Sequence, residues 1–264
     1  MHLPAKLTVS QIREVLKEGQ PEGKFIELCK VDERQSVRSL VLSYVRQLER
    51  QGAEDSRLEK LYCFEEELWA QGHTNIAGID EVGRGPLAGP VVAAAIILPG
   101  KLKISGLNDS KLVPGTKREE LARQIRKSAI AWSIGVATVE EIDTLNILGA
   151  AKLAMARAVE SMGVRPDCLL IDAVKLTQLN IPQKSVIDGD ALSGSIAAAS
   201  ILAKVYRDNL MNKLHMEYPY YNFASNKGYL TAEHSRALEL YGPCSAHRNS
   251  FAPIRTVKTA KTTG

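Results

Sequence analysis

The stretch from Ile79 to Pro90 limits what this chain can fold into more than any other part of the sequence. Two adjacent carboxylates, Asp80 and Glu81, end a short apolar run; a glycine-flanked arginine follows at once, and then the apolar run Val91 to Leu98. The glycines let backbone groups approach a ligand without obstruction by a side chain. Two acids beside such a loop suit a hard divalent cation and a phosphate, because Mg²⁺ prefers oxygen ligands and often binds together with phosphates.

The two adjacent acids raise a geometric difficulty. Neighbouring residues on a regular strand point to opposite faces of the sheet. Asp80 and Glu81 can therefore share a site only if the strand ends or bulges between them, and the loop Gly83-Arg84-Gly85 would supply such an end. Without the neighbouring acids, an ordinary tight turn would be the simpler interpretation of that loop. The stretch is not a nucleotide-binding phosphate loop, because no Gly-Lys-Ser/Thr ends it.

Two further acids follow apolar runs downstream. The run Cys168 to Ile171 ends on Asp172, and Asp190 comes shortly after the run Ser185 to Ile187. Open α/β sheets often place their sites at strand carboxyl ends. Clustered carboxylates repel one another unless cations neutralise them, and paired ions can activate a water and stabilise the leaving oxygen of a phosphodiester. Each acid alone is better interpreted as a helix cap or a surface charge, whereas all four together favour a two-metal site.

Residues 1–72 are predicted to form a small all-helical extension. Thr8 and Gln11 fit a capping box, and the apolar residues from Val37 to Leu48 recur at helical spacing. A third predicted helix contains Glu65-Glu66-Glu67, which we interpret as a solvated helix face and not as a metal site. No obvious catalytic cluster lies in this part of the sequence.

Residues 73–257 interleave strand-like and helical patterns, which indicates an α/β domain. Residues 258–264 are predicted to be a flexible basic tail. Residues 1–74 hold 11 Lys and Arg against 13 Asp and Glu, whereas residues 75–264 hold 23 against 17. A basic domain around an acidic site fits a polyanionic partner, and a solvated mixed surface would explain the charge equally well.

The sequence also argues against several classes of protein. It has no run of about 18 apolar residues that would form a transmembrane helix, and its N-terminus lacks the apolar core of a signal peptide. We therefore expect a cytoplasmic protein. The cysteines lie far apart without a Cys-x-x-Cys pair, which favours free thiols over a zinc site or disulfides. They are Cys29, Cys63, Cys168 and Cys244.

The segment from Asp80 to Pro90 resembles the opening motif of bacterial ribonuclease HII, and the likeness continues in order along the chain. The matching segments are Asn108-Asp109-Ser110-Lys111, Ile142-Asp143 with Leu145-Asn146-Ile147-Leu148, Leu170-Ile171-Asp172, Gly189-Asp190-Ala191, Ser195 to Val205 with Arg207-Asp208, Asn226-Lys227-Gly228-Tyr229, and His247-Arg248 with Ser250-Phe251-Ala252-Pro253. The resemblance covers about Ile76 to Ile254.

The resemblance implies a fold and an activity. The fold is a ribonuclease H-like mixed sheet flanked by helices, and the helical N-terminal extension belongs to only part of the family. The activity is endonucleolytic cleavage of the RNA strand of RNA–DNA hybrids. The family also nicks duplex DNA on the 5′ side of an embedded ribonucleotide, leaving 3′-hydroxyl and 5′-phosphate ends, which serves ribonucleotide excision repair. A monomer that acts on such duplexes and not at a membrane is expected.

The resemblance further implies roles for individual residues. The Mg²⁺ or Mn²⁺ ligands would be Asp80, Glu81, Asp172 and Asp190. Contacts with the ribose 2′-hydroxyl, which distinguishes RNA from DNA, would come from Gly83, Arg84 and Gly85. Tyr229 would pack on the sugar at the RNA–DNA junction. Phosphate contacts are implied more weakly for Ser110, Lys111 and Lys204. His247 and Arg248 are weaker candidates still, and a structural role explains their presence equally well.

The sequence departs from the family pattern at two positions. Asp188 stands where the family commonly has Lys before Gly-Asp, and Leu112 stands where a second Lys is common. The first change adds negative charge beside Asp190, and the second weakens a phosphate contact. A non-catalytic hybrid-binding protein is therefore one alternative. A nucleotide-hydrolysing or phosphoryl-transfer enzyme is another, which the missing phosphate-loop lysine disfavours.

Overall fold

The computed structural model describes residues 4–19, 21–100 and 102–256, so the predicted tail 258–264 lies outside the described residues. The chain divides into two compact units, Met1–Arg57 and Leu58–Gly264. This division follows packing and not function, and the domain bounds at residues 72 and 257 stay predictions. Among the described residues, no helix is both long and apolar enough to cross a bilayer.

The first unit is helical. Its helices are α1 (Val9–Lys17), α2 (Gly23–Lys30) and most of α3 (Gln35–Leu61). The predicted capping box at the start of α1 is confirmed, since the Thr8 side chain accepts from the Gln11 N–H and the Gln11 side chain accepts from the Thr8 N–H. The three helices meet in a small apolar core made by Ile12, Leu16, Phe25, Cys29, Val37 and Val41.

The second unit contains a mixed sheet, as predicted. Its strands are β1 (Ile76–Val82), β2 (Val91–Ile97), β3 (Ala131–Ala137), β4 (Cys168–Asp172) and β5 (Gln183–Val186). The strand order is β3-β2-β1-β4-β5. β1 and β3 pair with β2 in antiparallel fashion, whereas β4 is parallel to both β1 and β5. β1 therefore lies at the centre, with an antiparallel neighbour on one side and a parallel one on the other.

Helices cover both faces of this sheet. They are α4 (Cys63–Ala70), α5 (Gly115–Ser128), α6 (Val139–Glu160), α7 (Gly189–Leu192), α8 (Gly194–Glu217), α9 (Phe223–Asn226) and α10 (Ala232–Tyr241). Alternate residues of β2 enter opposite cores: Val92, Ala94 and Ile96 pack with α8, whereas Val91, Ala93 and Ala95 pack with α6. Burial on both faces explains why β2 is a continuous apolar run.

Helix α8 lies directly against β1. A Cβ atom at Gly78 would overlap the backbone of Ser195, so the absence of a side chain there permits the contact. Glu65 of α4 holds the start of the same helix: its Oε1 accepts from the Ser195 N–H at 2.8 Å and from the hydroxyls of Ser193 and Ser195 at 2.6 Å. The interpretation of Glu65 as part of a solvated face is therefore wrong, because the N-terminus of α8 supplies buried donors for its carboxylate.

Candidate active site

The candidate site is a cleft of about 320 Å³ at the carboxyl ends of β1 and β4. The eleven predicted metal-binding and substrate-binding residues all line it, together with Val82 and Ser200. The parallel register of β1 and β4 explains part of this convergence. Ile79 pairs with Ile171, so Asp80 and Asp172 follow at the same edge of the sheet. The structure thus brings the predicted residues together, while their individual roles stay predictions.

Three of the four predicted acids form a compact group. Asp80, Glu81 and Asp172 each offer a carboxylate oxygen, and these oxygens all lie within 4.8 Å of one another. Asp190 lines the same cleft from α7 but is outside this group. It is linked to the group through its neighbour, because the Gly189 N–H donates to Asp172 Oδ1 at 2.8 Å.

The expectation that β1 ends or bulges between its two acids is wrong. The pairing with β2 continues in regular register through Asp80, Glu81 and Val82. The pairing with β4, in contrast, reaches only to Ile79. The Asp80 side chain bends toward the backbone of the next residue, since its Oδ1 accepts from the Glu81 N–H at 2.7 Å. The two carboxylates therefore approach each other without any interruption of the strand.

The acidic group is short of positive charge. Asp80 is 5% exposed, and burial, followed by the charge of Glu81, raises its pKa well above the usual value. Burial also raises the pKa of Glu81, which Arg84 opposes from 3.2 Å. Glu81 Oε2 is buried and makes no hydrogen bond. Crowded carboxylate oxygens with one unpartnered atom fit a hard divalent cation, which prefers oxygen ligands.

Asp190 has a separate environment. Burial raises its pKa, the charge of Asp109 adds to the effect, and Lys111 opposes it. Asp188 lies just before it in a left-handed conformation with φ of 54° and is exposed, outside the residues that line the cleft. The hybrid-binding alternative depended on damage to the site by Asp188, and this placement gives it no support.

Two residues near the acids escaped the sequence analysis. Ser200 of α8 hydrogen-bonds to Asp80, and its hydroxyl lies 2.9 Å from the hydroxyl of Ser110. Asp109 faces Asp190. Both lie in segments that match the family, Asn108 to Lys111 and Ser195 to Val205, and beyond that the signals were the position of Ser200 four residues before Lys204 and of Asp109 next to Ser110. Neither pattern distinguishes a site residue from an ordinary polar one.

The three predicted phosphate-binding residues differ in how accessible they are. Ser110 is buried, with its hydroxyl engaged by Ser200. Lys204 pairs with Asp208 at 2.7 Å. The side chain of Lys111 is 75% exposed and lies 4.0 Å from Asp109. Lys111 is therefore the most accessible of the three residues and the more exposed of the two cations.

The glycine-rich loop lies beside the acids and against an aromatic ring. Gly83 has φ of 98°, a left-handed conformation that favours glycine. A Cβ atom at Gly85 would lie 3.4 Å from Cε1 of Tyr229. The Tyr229 ring is about half exposed in the cleft. Loop and ring thus form one wall of the cleft.

Two fully buried histidines hold the backbone of Tyr229. His234 Nδ1 lies 2.9 Å from the Tyr229 carbonyl, and its Nε2 lies 3.0 Å from His247 Nε2. Because a carbonyl only accepts, His234 carries its proton on Nδ1, and His247 must donate from Nε2. His247 Nδ1 then accepts from the Cys244 N–H at 3.0 Å. Burial lowers the pKa of His247 to about 4 and also lowers that of His234.

The chain is similar to one family throughout most of its length. A family model described as ribonuclease HII matches residues 77–254, and one described as the ribonuclease HII N-terminal domain matches residues 8–69. A curated ribonuclease HII from Desulfitobacterium hafniense (strain DSM 10664 / DCB-2) is 53% identical over 251 residues, which covers 95% of this chain and 96% of that protein.

Solved structures show the same fold. The ribonuclease H2 from Pyrococcus horikoshii OT3 superposes with a TM-score of 0.60 at 23% identity, covering 72% of this chain and 100% of that one. Bst ribonuclease HIII, solved in complex with Mn²⁺, superposes with a TM-score of 0.54 at 17% identity, covering 79% and 73%. These likenesses support the mixed sheet flanked by helices.

Proposed function

The chain belongs to the ribonuclease HII family, and from that premise we propose that its ribonuclease H activity requires a divalent metal and extends to single ribonucleotides in duplex DNA. The family relationship itself makes the protein a ribonuclease H, an endonuclease that acts on RNA–DNA hybrids. The proposed further reaction is a nick on the 5′ side of the ribonucleotide that leaves 3′-hydroxyl and 5′-phosphate ends.

The acidic group of Asp80, Glu81 and Asp172 is the observation that carries the proposal. Its oxygens converge, and the buried Glu81 Oε2 has no other partner. These three residues would hold Mg²⁺ or Mn²⁺, with Asp190 as a fourth ligand in a two-metal site. Bound divalent cations supply activation of the attacking water and stabilisation of the leaving oxygen.

The wall beside the acids would recognise the sugar. Gly83, Arg84 and Gly85 line the cleft, and their backbone can approach a ribose 2′-hydroxyl because two of the three carry no side chain. The Tyr229 ring, next to Gly85, would pack on the sugar and position it at the junction. The hydroxyl is the group that separates RNA from DNA at a single site.

Basic side chains would hold the rest of the duplex. We assign phosphate contacts to Lys111 and Lys204, and to Ser110 if its hydroxyl exchanges Ser200 for a phosphate oxygen. We also propose that the protein works as a cytoplasmic monomer in the removal of ribonucleotides from DNA. The four free cysteines fit a reducing compartment.

A nicking assay tests the proposal directly. A labelled DNA duplex with one ribonucleotide is incubated with Mg²⁺, with Mn²⁺ and with chelator, and an all-DNA duplex and an RNA–DNA hybrid serve as controls. A metal-dependent nick on the 5′ side of the ribonucleotide is expected. Cleavage of the hybrid alone would refute the single-ribonucleotide activity, and cleavage in chelator would refute the metal requirement.

A matched pair of variants connects the assay to the site. Asp80→Asn removes a carboxylate from the acidic group, whereas Asp188→Asn removes an exposed carboxylate outside the residues that line the cleft. Loss of nicking in the first variant and retention in the second are expected. Equal loss in both would mean that local charge, and not metal ligation, controls the reaction.

A further inference from the structure

Two fully buried guanidinium groups lie behind the glycine-rich loop. Arg207 comes from α8 and Arg248 from the segment after α10, and both are 0% exposed. Their hydrogen-bond acceptors are backbone carbonyls, and six of the eight carbonyls from Gly83 to Pro90 receive a bond from one or the other. Buried polar groups are normally hydrogen-bonded, and here two cations satisfy the carbonyls of an irregular loop.

The two arginines bind different parts of this loop. Arg248 uses all five of its N–H groups: to Gly83 O at 2.6 Å, Arg84 O at 3.0 Å, Pro86 O at 2.7 Å, and Gly89 O at 2.9 and 2.7 Å. Arg207 donates at 3.0 Å to Ala88, Pro90 and Lys227. Arg207 also packs against Gly83, but of the two arginines only Arg248 hydrogen-bonds the carbonyls of Gly83 and Arg84.

The orientation of those carbonyls determines the direction of the next N–H groups. In a planar trans peptide the N–H points opposite to the preceding C=O, and the described residues contain no cis peptide. The Gly83 and Arg84 carbonyls point at a buried guanidinium, so the N–H groups of Arg84 and Gly85 point away from it. Both residues line the cleft. Successive N–H groups directed to one side form a concavity that binds acceptor oxygens.

We propose that Arg248 is a positioning residue for sugar recognition, because it aims the N–H groups of Arg84 and Gly85 at the ribose 2′-hydroxyl. The inference rests on the proposed function of the cleft. Arg248 does not touch the substrate and acts only through the two peptide groups. A lysine cannot replace it, since an ammonium has three donors on a flexible stem where the guanidinium has five in a fixed fork.

The segment that carries Arg248 is itself fixed. Asp143 of α6 accepts from the N–H groups of Asn249 and Ser250 at 2.9 and 2.8 Å. The Arg248 guanidinium lies over the Phe251 ring, with 5.1 Å between its Cζ and the ring centroid. These contacts fix the three residues that directly follow Arg248, so the direction of its guanidinium is set before any ligand binds.

Equilibrium binding in chelator tests the proposal without cleavage. Fluorescence anisotropy gives Kd for a DNA duplex with one ribonucleotide and for the same duplex made only of DNA. The readout is the ribonucleotide preference, the ratio of the two Kd values. Arg248→Lys is expected to reduce this preference by roughly tenfold, the loss of about two hydrogen bonds, while the affinity for the all-DNA duplex stays within about twofold of wild type.

Arg207→Lys is the matched control, because it changes an equally buried guanidinium that packs on the same loop but donates to other carbonyls. Its ribonucleotide preference should remain that of the wild type, although its melting temperature falls. An equal loss of preference in both variants would overturn the proposal, since general loop integrity would then explain it. A wild type that binds both duplexes equally, or an Arg248→Lys variant that keeps the preference, would overturn it as well.

A second variant covers the case in which Arg248→Lys does not fold. Phe251→Leu keeps the guanidinium and removes the ring over which it lies. It is expected to reduce the ribonucleotide preference in the same direction, and an unchanged preference in the folded variant would contradict the proposal. Cleavage of the same duplexes by the wild type in Mg²⁺ and Mn²⁺ separates failure of this inference from failure of the proposed function.

Discussion

Buried charges lie on two sides of the glycine-rich loop, and they differ in how completely other groups of the protein satisfy them. In the cleft, the carboxylates of Asp80, Glu81 and Asp172 crowd together, and Glu81 Oε2 has no hydrogen bond. Behind the loop, every N–H of Arg248 has a carbonyl partner. The first arrangement is unfavourable until a cation arrives, whereas the second is complete in the protein alone.

The two sets of charges therefore have different roles. Like charges buried together raise the free energy of the folded state, so they are tolerated where a ligand neutralises them. A buried cation that satisfies several carbonyls stabilises one backbone conformation, since moving the loop would leave both partners unsatisfied. The acids thus provide affinity for metal, and the arginines provide a fixed loop shape.

Removal of one acid should have the largest effect on activity and the reverse effect on stability. Asp80→Asn is expected to lower metal-dependent cleavage by roughly a thousandfold or more, since metal ions contribute several kcal/mol to such reactions. Burial raises the pKa of Asp80, so its charge destabilises the folded protein above that pKa, and the variant should melt at a higher temperature in chelator. A lower melting temperature would show that the Asp80 carboxylate stabilises the metal-free protein, contrary to expectation.

Removal of the guanidinium should act on stability in the opposite direction. Arg248→Lys loses at least two of the five hydrogen bonds and leaves at least one of the four loop carbonyls without a donor in the buried loop. The expected cost is about 3 kcal/mol of unfolding free energy. This corresponds to a fall in Tm of roughly 10 °C for a domain of this size. Arg157→Lys is the comparison, since Arg157 is partly exposed and pairs with Glu141. Equal losses of unfolding free energy in the two variants would show that the buried guanidinium of Arg248 contributes no more to stability than a partly exposed one.

Bound metal should stabilise the folded protein through the carboxylates of Asp80, Glu81 and Asp172 and not through the arginines behind the loop. Saturating Mg²⁺ or Mn²⁺ is expected to raise the unfolding free energy of the wild type by about 2.7 kcal/mol at a hundred times Kd. Asp80→Asn should show a much smaller rise, whereas Arg248→Lys should gain as much as the wild type. Thermal melts across a metal titration measure this, and a lost response in Arg248→Lys would mean that the two sides of the loop are not independent.

Acid pH should affect the histidine pair behind Tyr229 by a smaller amount. The folded pKa of His247 is about 4, so as pH falls below the usual histidine value the unfolded chain takes up a proton that the folded protein does not. Stability is then lost between about pH 6.5 and 4, by about 2 kcal/mol at pH 5. His247→Gln should lack this part of the pH dependence in melts from pH 4.5 to 7.5. Parallel curves for both proteins would refute the neutral pair.

The sheet and the position of the cleft could be predicted from the sequence because their signals are local. The continuous apolar run of β2 and the acid that ends β4 both appear in a few consecutive residues. The arginine contacts could not be predicted, since Arg248 lies far along the chain from the carbonyl of Arg84. A hydrogen bond from a guanidinium to a carbonyl also produces no periodic pattern in the sequence. The burial of Glu65 was unpredictable for the same reason. Its hydrogen-bond partners lie at the start of α8, far along the chain, and they allow this charged helix residue to be buried.

The central place of β1, with its parallel partner β4 far along the chain, also orders events while the protein is being synthesised. Chains emerge from the ribosome with the N-terminus first, so Asp80 and Glu81 are exposed as a pair before Asp172 exists. The carboxylate group closes once β4 has emerged and joined the sheet. The loop beside it acquires its buried guanidinium only after Arg248, which follows Asp172 in the chain, has also emerged. A nascent chain therefore completes its acidic group well before the loop that borders it.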